Sequence, residues 1–365
     1  MDRAPARPPG DAILALAGET MGTTWSVRAI VATGTDPAPL QAAIEQELEA
    51  IVTAFSPWRS DSEITRFNDA PAGTWALSSS FWSLLDAAMD LADDTNGAVD
   101  PTLGALVDLW GFGPPGPRTA SEPTPDDAAV EAALAVSGWQ KLRMNRDARA
   151  AVQMGGPDGG MKLDFSGIAK GHAVDRVSDR LTALGATSHL VEIGGELRGR
   201  GVKPDSQPWW VEIERVEGSP APRTVVALVD LALATSGDYR RAFRHDGRLY
   251  SHTIDGRTGR PIDNGLASVS VLHASAMKAD AFATALMVLG PYEGPAFAEA
   301  MGLAAHFVER TPRGPIERVT PAYAAMMDED AASASGVPGP VSSECGPSES
   351  GPSGSGPSGS WPPPQ

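Results

Sequence analysis

The chain has little cysteine, few basic residues and no long apolar run, and each shortage excludes a class of protein. One cysteine, Cys345, among 365 residues excludes an intramolecular disulfide and any metal site built from several thiolates. Lys and Arg total 29 against 46 Asp and Glu, a net charge of −17, whereas nucleic-acid-binding surfaces need clustered cations. No stretch approaches the ~20 apolar residues of a membrane span. We therefore expect neither a nucleic-acid-binding nor a transmembrane protein.

The composition divides the chain into three parts. Ser, Gly and Pro dominate residues 331–365, where GPSGS occurs twice, and such a segment predicts a disordered tail because it cannot bury apolar area. We also expect residues 1–16 to be flexible, and their short apolar patch makes a poor secretory signal. Residues 17–330 contain no linker-like segment, so we expect them to form one domain.

The spacing of apolar residues predicts an α+β fold. Helical spacing occurs in the segments 36–55, 80–96, 126–136, 167–184 and 276–289. Patterns typical of strands occur in 23–31, 139–144, 150–154, 161–165, 189–193, 209–216, 224–234, 268–273 and 304–309. Because strands outnumber strict strand–helix alternation, we expect a mixed, largely antiparallel sheet layered with helices. A formal G-x-G-x-x-G match at 111–116 contains two prolines, which argues against a dinucleotide-binding loop.

Two segments combine small residues with features of a ligand-binding turn. GETMGTT, residues 18–24, places Gly22 ahead of a strand, which is typical of a backbone close to a ligand but also of an ordinary turn. DFSGIAKG begins with Asp164 and opens a helix whose exposed amides, together with Lys170, suit an anion. Asp164 itself suits an amine donor or a metal. The alternative is a helix capped by Asp164 or Ser166 beside a solvated lysine.

Two further segments supply a candidate base and a candidate metal site. His252, near the end of a strand, could act as a base beside a ligand or lie in a surface hairpin. Asp280 and Thr284 are four residues apart on an apolar helix, so their oxygens share a face and suit Mg²⁺ or Ca²⁺. Alternatively, Asp280 stabilises the helix start and Thr284 bonds to the helix backbone. Trp58 could stack on a planar ligand, but core packing is the default for this residue type.

Eight segments, taken in order, resemble the ApbE family, the FAD:protein FMN transferases. They are GETMGTTWSV, FSPWRSDSEITRFN, GAVDPTLGALVDLWGFG, DFSGIAKGHAVDRV, VEIGGELRGRG, ATSGDYRRAF, YSHTIDGRTGRP and SVSVLHASAMKADAFATALMVLG. The resemblance covers residues 17–322 and implies a single α+β domain of the ApbE type. It also implies an activity, in which FMN passes from the substrate FAD to a threonine hydroxyl of an acceptor flavoprotein of a redox complex. The product is a phosphoester, AMP is released, and Mg²⁺ is the required metal, with Mn²⁺ as a possible substitute.

The resemblance assigns roles to individual residues. His252 matches the base that deprotonates the acceptor threonine. The positions that match FAD contacts are Met21, Trp58, Ala98, Val99, Asp100, Asp164, Lys170 and Ile254. Asp280 and Thr284 match side-chain ligands of the metal, and Gly167 matches a residue that offers its backbone carbonyl.

The sequence departs from the family in two places. Gly256 stands where the family usually has proline, so we expect a looser turn after Ile254. Many members are exported or lipid-anchored, whereas neither an export signal nor an N-terminal lipid-acceptor cysteine is visible here. The expected location is therefore cytoplasmic, with a periplasmic or membrane-anchored protein as the alternative. Two rival activities also stay open, a Mg²⁺-dependent pyrophosphatase that yields FMN and AMP and a non-catalytic FAD-binding protein.

Overall fold

The computed structural model describes residues 11–71, 73–116, 118, 122–153, 160–216, 223–239 and 241–331. The helices are α1 (Ala38–Phe55), α2 (Glu63–Asn68), α3 (Ser79–Asp94), α4 (Gly104–Leu109), α5 (Asp127–Val136), α6 (Ala169–Ala183), α7 (Ala276–Ala300) and α8 (Pro321–Ala331). The strands are β1 (Asp11–Thr20), β2 (Thr23–Ala32), β3 (Gly73–Ala76), β4 (Leu142–Asn145), β5 (Ala150–Gln153), β6 (His189–Ile193), β7 (Glu196–Arg200), β8 (Trp209–Glu212), β9 (Val225–Leu228), β10 (Leu231–Gly237), β11 (Ala242–His245), β12 (Arg248–Ser251), β13 (Ile254–Asp255), β14 (Arg260–Pro261), β15 (Leu266–His273), β16 (Ala304–Thr311) and β17 (Gly314–Val319). No helix in these ranges is both long and apolar enough to cross a membrane.

One antiparallel sheet organises the fold. Its strand order is β1-β2-β6-β7-β10-β15-β16-β17, and each neighbouring pair in that order runs antiparallel. Four small sheets, β3-β5-β4, β8-β9, β11-β12 and β13-β14, lie outside it. The predicted α+β class with a largely antiparallel sheet is confirmed.

The main sheet begins earlier in the chain than expected. Residues 11–16, which we expected to be flexible, belong to β1, and β1 pairs with β2 along its whole length. The pairing supplies backbone hydrogen bonds that a flexible segment would lack, and Leu14 and Leu16 pack against the core. Met21 and Gly22 close this hairpin with φ angles of 51° and 70°, the left-handed pair that a two-residue type I′ turn requires. Residues 1–10 and 332–365, which include most of the expected tail, lie outside the described ranges.

Both faces of the sheet are covered, which explains why its central strands are apolar on both sides. On one face α6 and α7 pack against the strands and α1 packs against α6, with Ala232, Ala234 and Val271 buried beneath them. On the other face Leu233 and Leu272 join a second apolar cluster that includes residues of β8, β9 and α8. The alternation along β10 and β15 therefore distributes their side chains between two cores.

Helix α7 is long and bent. Ser275 caps its start, with Oγ accepting a hydrogen bond from the Lys278 amide at 3.3 Å. Gly290, at φ 80°, interrupts the helical geometry just before Pro291, because proline disfavours helical conformation in the residue that precedes it. The helix predicted over 276–289 thus matches the first part of α7, before the bend.

The strand predicted over 161–165 is wrong, because this segment is extended but joins no sheet. The side-chain amide of Asn68 takes the place of a neighbouring strand. Its Oδ1 accepts from the Leu163 amide at 2.7 Å, and its Nδ2 donates to the Leu163 carbonyl at 2.9 Å. The Asp164 amide donates to the Pro101 carbonyl at 2.8 Å, which fixes the segment immediately before α6.

Two histidines are buried in the neutral form. Burial lowers the pKa of His172 and of His189 to about 4 in each case. The His189 ring donates from Nδ1 to the Ala186 carbonyl at 2.7 Å, so its Nε2 accepts from Ser178 Oγ at 2.8 Å. His172 packs edge-on against Phe55, with ring centroids 5.7 Å apart.

We expect mild acid to destabilise this fold. Between pH 6.5 and 4 the unfolded chain binds protons on these two histidines that the folded chain does not, so unfolding is favoured as pH falls. The free energy of unfolding should drop by about 3 kcal/mol per histidine over that window, as measured by urea unfolding at pH 7 and pH 4. H189Q and H172Q should each remove about half of the histidine-dependent drop. An unchanged pH dependence in both variants would contradict this account.

Candidate active site

A cleft opens where β7 begins and β10 ends, between the start of α6 and the middle of α7. Ten of the twelve residues singled out from the sequence line it, namely Ala98, Val99, Asp100, Asp164, Gly167, Lys170, His252, Ile254, Asp280 and Thr284. These residues come from distant parts of the chain, so the fold brings together what the sequence patterns proposed separately. Their individual roles stay predictions.

Met21 and Trp58 are the two that do not line the cleft. Met21 lies in the β1–β2 turn and packs partly buried against the core. The residue after this turn, Thr23, flanks Gly194 together with Lys170, since a Cβ on Gly194 would lie 3.0 Å from Thr23 Cγ2 and 3.4 Å from Lys170 Cδ. Trp58 is 47% exposed in the loop between α1 and α2. The expectation that Trp58 fills the core is therefore wrong, and its ring is accessible to a planar ligand.

The hydroxyl groups of Thr284 in α7 and Ser236 in β10 meet at one side of the cleft, beside the backbone of Gly167 just before α6. Thr284 Oγ1 lies 3.2 Å from Ser236 Oγ, so this hydroxyl faces β10 across the cleft. A Cβ on Gly167 would lie 3.1 Å from Thr284 Oγ1, which means that the backbone there passes close to the threonine. Glycine is the residue that permits this approach without moving the threonine.

Asp280 joins α7 to the start of α6. Its side chain is buried, with the residue 4% exposed, and its Oδ2 accepts from the Gly171 amide at 2.9 Å. Gly171 belongs to the first turn of α6, whose amides have no partner within the helix, and no side chain at the N-cap of α6 fills that role. Ser275 caps α7, so Asp280 stabilises the start of α6 rather than of its own helix.

This oxygen set fits a hard cation that is shared with a phosphate. Asp280 supplies a carboxylate, Thr284 a hydroxyl and Gly167 a carbonyl, which are the ligand types that Mg²⁺ and Mn²⁺ accept. The described residues contain no group of three or more His, Cys, Asp or Glu side chains able to hold a metal by themselves. Mg²⁺ sites with one protein carboxylate complete their coordination with water and ligand phosphate, so this set suits a metal brought together with a phosphorylated ligand.

The cleft is acidic overall. Its lining contains the carboxyl groups of Asp100, Asp164, Glu196 and Asp280 against the single lysine Lys170. The alternative of a solvated lysine is not what the structure shows, because Lys170 Nζ pairs with Glu196 Oε1 at 2.5 Å and the Glu196 side chain is 1% exposed. An anionic ligand therefore meets little uncompensated positive side-chain charge in this cleft.

Asp100 and Asp164 shape the loops that border the cleft. Asp100 Oδ1 accepts from the amide and hydroxyl of Thr102 at 2.8 and 2.6 Å, and its Oδ2 accepts from the Trp139 amide at 3.1 Å. Asp164 Oδ1 accepts from the Ser166 amide at 2.5 Å. Burial raises the pKa of both carboxyls, against the opposing effect of these hydrogen bonds. The Asp100 carboxylate is therefore engaged by protein donors from Thr102 and Trp139.

His252 is oriented by the base of the β11–β12 hairpin. The Arg241 carbonyl accepts from both the His252 amide and its Nδ1, each at 3.0 Å. With the proton on Nδ1, the neutral ring carries its lone pair on Nε2. The Phe112 ring packs edge-on against the imidazole, with centroids 6.3 Å apart. The His252 ring therefore lines the cleft in a fixed orientation. With the proton on Nδ1, its tautomer is suited to accept a proton at Nε2.

The turn after Ile254 is held by hydrogen bonds to the Asp255 side chain. Asp255 Oδ1 accepts from the Arg257 amide and from its Nε, both at 2.9 Å. A Cβ on Gly256 would lie 3.2 Å from Leu103, so glycine lets this turn pack closely against the loop that precedes α4. The departure from the family's proline at position 256 is thus accompanied by an ion pair and by close packing.

Comparison with known proteins identifies the family. The sequence model of the ApbE family matches residues 21–307. This chain belongs to the ApbE family. A Vibrio cholerae protein named FAD:protein FMN transferase is 40% identical over 304 residues, which cover 82% of this chain and 88% of that protein. A protein of the same name from Haemophilus influenzae is 35% identical over 327 residues, covering 87% and 92%.

Solved structures agree with this family and its fold. The flavinyl transferase ApbE of Pseudomonas stutzeri, in its apo form, matches with a TM-score of 0.78 at 40% identity, covering 87% of this chain and 97% of that one. The flavin transferase ApbE of Vibrio cholerae matches with the same TM-score at 37% identity, covering 86% and 99%. The resemblance to ApbE read from the motifs is therefore confirmed.

Several residues in the cleft of this ApbE protein were not singled out individually from the sequence. Glu196, Ser236 and Thr253 all line it. A signal existed for Glu196, because it follows Gly194 and Gly195, whose φ angles of 60° and 98° mark a tight turn that aims the next residue. No comparable signal marks the two hydroxyls, since Ser and Thr are common at strand ends.

Variants of the Lys170–Glu196 ion pair can distinguish an effect of Lys170 on FAD affinity from its effect on the free energy of unfolding. We expect K170M to lower the free energy of unfolding by about 2 kcal/mol, because a buried carboxylate loses its ion-pair partner. The double variant K170M/E196Q should recover most of that loss, whereas both variants should bind FAD more weakly than the parent. Chemical unfolding and FAD fluorescence titration measure the two effects. Recovery of FAD affinity in the double variant would show that Lys170 acts only on stability.

Proposed function

We propose that this protein transfers FMN from FAD to a threonine hydroxyl of an acceptor flavoprotein, forming a phosphoester and releasing AMP, with Mg²⁺ as its metal. Flavin transfer from FAD follows from membership of the ApbE family and from the names of its relatives. One observation carries the finer proposal. One cleft is lined by the carboxylate of Asp280, the hydroxyl of Thr284 and the imidazole of His252, whose Nδ1 donates to the Arg241 carbonyl.

The residues that would hold the metal are those of the oxygen set. Asp280 offers its carboxylate, Thr284 its hydroxyl and Gly167 its backbone carbonyl. When bound, Mg²⁺ would neutralise charge on the pyrophosphate of FAD, which is the main requirement for displacement at a phosphate. Lys170 offers an N–H donor to the ligand on the same side, while its charge is already balanced by Glu196.

His252 supplies the proton transfer that the reaction requires. The acceptor threonine gives its proton to Nε2 while its oxygen bonds to the phosphorus on the flavin side of the pyrophosphate. The bond from that phosphorus to the bridging oxygen breaks, and AMP leaves with the oxygen. The hydrogen bond from Nδ1 to the Arg241 carbonyl keeps the ring oriented and stabilises the imidazolium that forms.

Incubation of the purified protein with FAD and Mg²⁺, with and without a threonine-bearing acceptor domain, tests the proposal. We expect the acceptor to gain the mass of FMN less one water, and AMP to appear in equal amount. The matched control is an acceptor whose threonine is replaced by valine, which keeps the shape and removes the hydroxyl.

The other outcomes identify the rival activities. AMP and free FMN at the same rate with either acceptor would indicate a pyrophosphatase, with water in place of threonine. Bound FAD without AMP in any mixture would indicate a binding protein. Replacement of Mg²⁺ by Mn²⁺ should preserve transfer, because both ions accept oxygen ligands.

If His252 acts as the base, its replacement should lower the rate of FMN transfer without lowering the affinity for FAD. H252N should slow single-turnover transfer by about 100-fold or more, the usual contribution of a general base, while FAD affinity changes little. H245N, in the same hairpin but outside the cleft, is the control. Rapid-quench measurement of acceptor mass gives the rate, and FAD fluorescence gives the affinity. A transfer rate in H252N equal to that of the parent, with chemistry limiting, would remove His252 as the base.

A further inference from the structure

Helices α6 and α7 approach each other more closely than ordinary side chains allow. A Cβ on Gly171 would lie 2.2 Å from the Ala276 carbonyl oxygen and 2.8 Å from Asp280 Cβ. The contact places the first turn of α6 directly against the first turns of α7. Because Asp280 Oδ2 accepts the Gly171 amide, the position of α7 along α6 also sets where the Asp280 carboxylate lies.

Asp175 lies one helical turn beyond Gly171 on α6 and holds the start of α7. Its Oδ1 accepts from the Ala276 amide at 3.0 Å, and its Oδ2 accepts from Ser275 Oγ at 2.7 Å and from the Met277 amide at 3.1 Å. Arg198 of β7 donates from Nη1 to the same Oδ1. The two oxygens thus receive four donors, which matches the four lone-pair sites of a carboxylate.

These contacts do more than cap a helix. Ser275 already fills the N-cap position of α7, and Asp175 fixes the Ser275 side chain itself. Arg198 lies two residues after Glu196 on β7, so the same carboxylate is tied to the strand whose first residue holds Lys170. Asp175 is therefore connected both to the helix that carries Asp280 and Thr284 and to the strand that holds Lys170. It does not itself line the cleft.

We propose that Asp175 is a positioning residue for the cation site, fixing α7 against α6 so that Asp280 and Thr284 present their oxygens together. The inference rests on the proposed Mg²⁺-dependent transfer. An aspartate that holds the helix bearing a predicted metal ligand acts as supporting residues do in metal sites, whose loss typically costs about 10- to 100-fold in metal affinity or activity.

The variant D175N tests this role with little change of volume. Asparagine keeps one acceptor oxygen and turns an NH₂ group toward two of the four donors, so the start of α7 loses one or two of its three hydrogen bonds to this side chain. We expect the Mg²⁺ concentration for half-maximal FMN transfer to rise about tenfold or more, with transfer largely restored at saturating Mg²⁺. A second readout is independent of turnover. The Mg²⁺ concentration that gives half of the rise in melting temperature, with FAD present, should increase by the same factor.

The matched control is D179N. Asp179 lies one turn further along α6 and pairs with Arg200 of β7 at 2.7 Å, but it is exposed and donors from α7 do not reach it. Both midpoints should stay at the parent value in D179N. If D175N does not fold, S275A loosens the same attachment more gently and should shift both midpoints in the same direction.

The outcomes separate this inference from the proposed function. A parent protein that transfers FMN without any Mg²⁺ dependence would overturn the metal assignment and this role with it. A Mg²⁺-dependent parent, with midpoints unchanged in D175N and S275A, would overturn the positioning role alone. A lower melting temperature in D175N with no shift of either midpoint would show that Asp175 serves stability only.

Discussion

The close contact between α6 and α7 at Gly171 is the constraint on which the rest of the site depends. Only a residue without a side chain allows the Ala276 carbonyl to approach so near. The approach brings the Asp280 carboxylate to the Gly171 amide, which has no partner within α6. One buried carboxylate therefore serves the fold and the cleft together. Because the Gly171 amide donates a hydrogen bond to Asp280 even without a ligand, burial of this carboxylate costs less free energy than burial of an isolated charge.

The acidic character of the protein shapes how it can hold a pyrophosphate. With a net charge of −17 and a cleft whose one lysine is already paired, attraction by clustered cations is not the means of binding. In the mechanism that we propose, a divalent metal at Asp280 would solve this problem locally, because it would bring positive charge only where the phosphate lies.

Much of the fold and of the candidate site follows from local patterns. Helical periodicity gave the cores of α1, α3, α6 and α7, and the four-residue spacing of Asp280 and Thr284 placed both at the cleft. The failures involve partners outside the segment whose pattern was interpreted. Asn68 replaces a strand beside residues 161–165, and β2 orders residues 11–16. Ser236 became recognisable as a neighbour of Thr284 only once β10 and α7 were packed.

The main sheet joins the two halves of the chain through one long-range pairing, in which Trp25 of β2 lies opposite Ile193 of β6. The segment between these strands carries Asp164, Gly167 and Lys170, and the segment after them carries His252, Asp280 and Thr284. Each segment supplies only part of the cleft lining, so a ligand that binds there contacts both segments and stabilises their association. FAD should therefore protect the whole chain against unfolding by mass action.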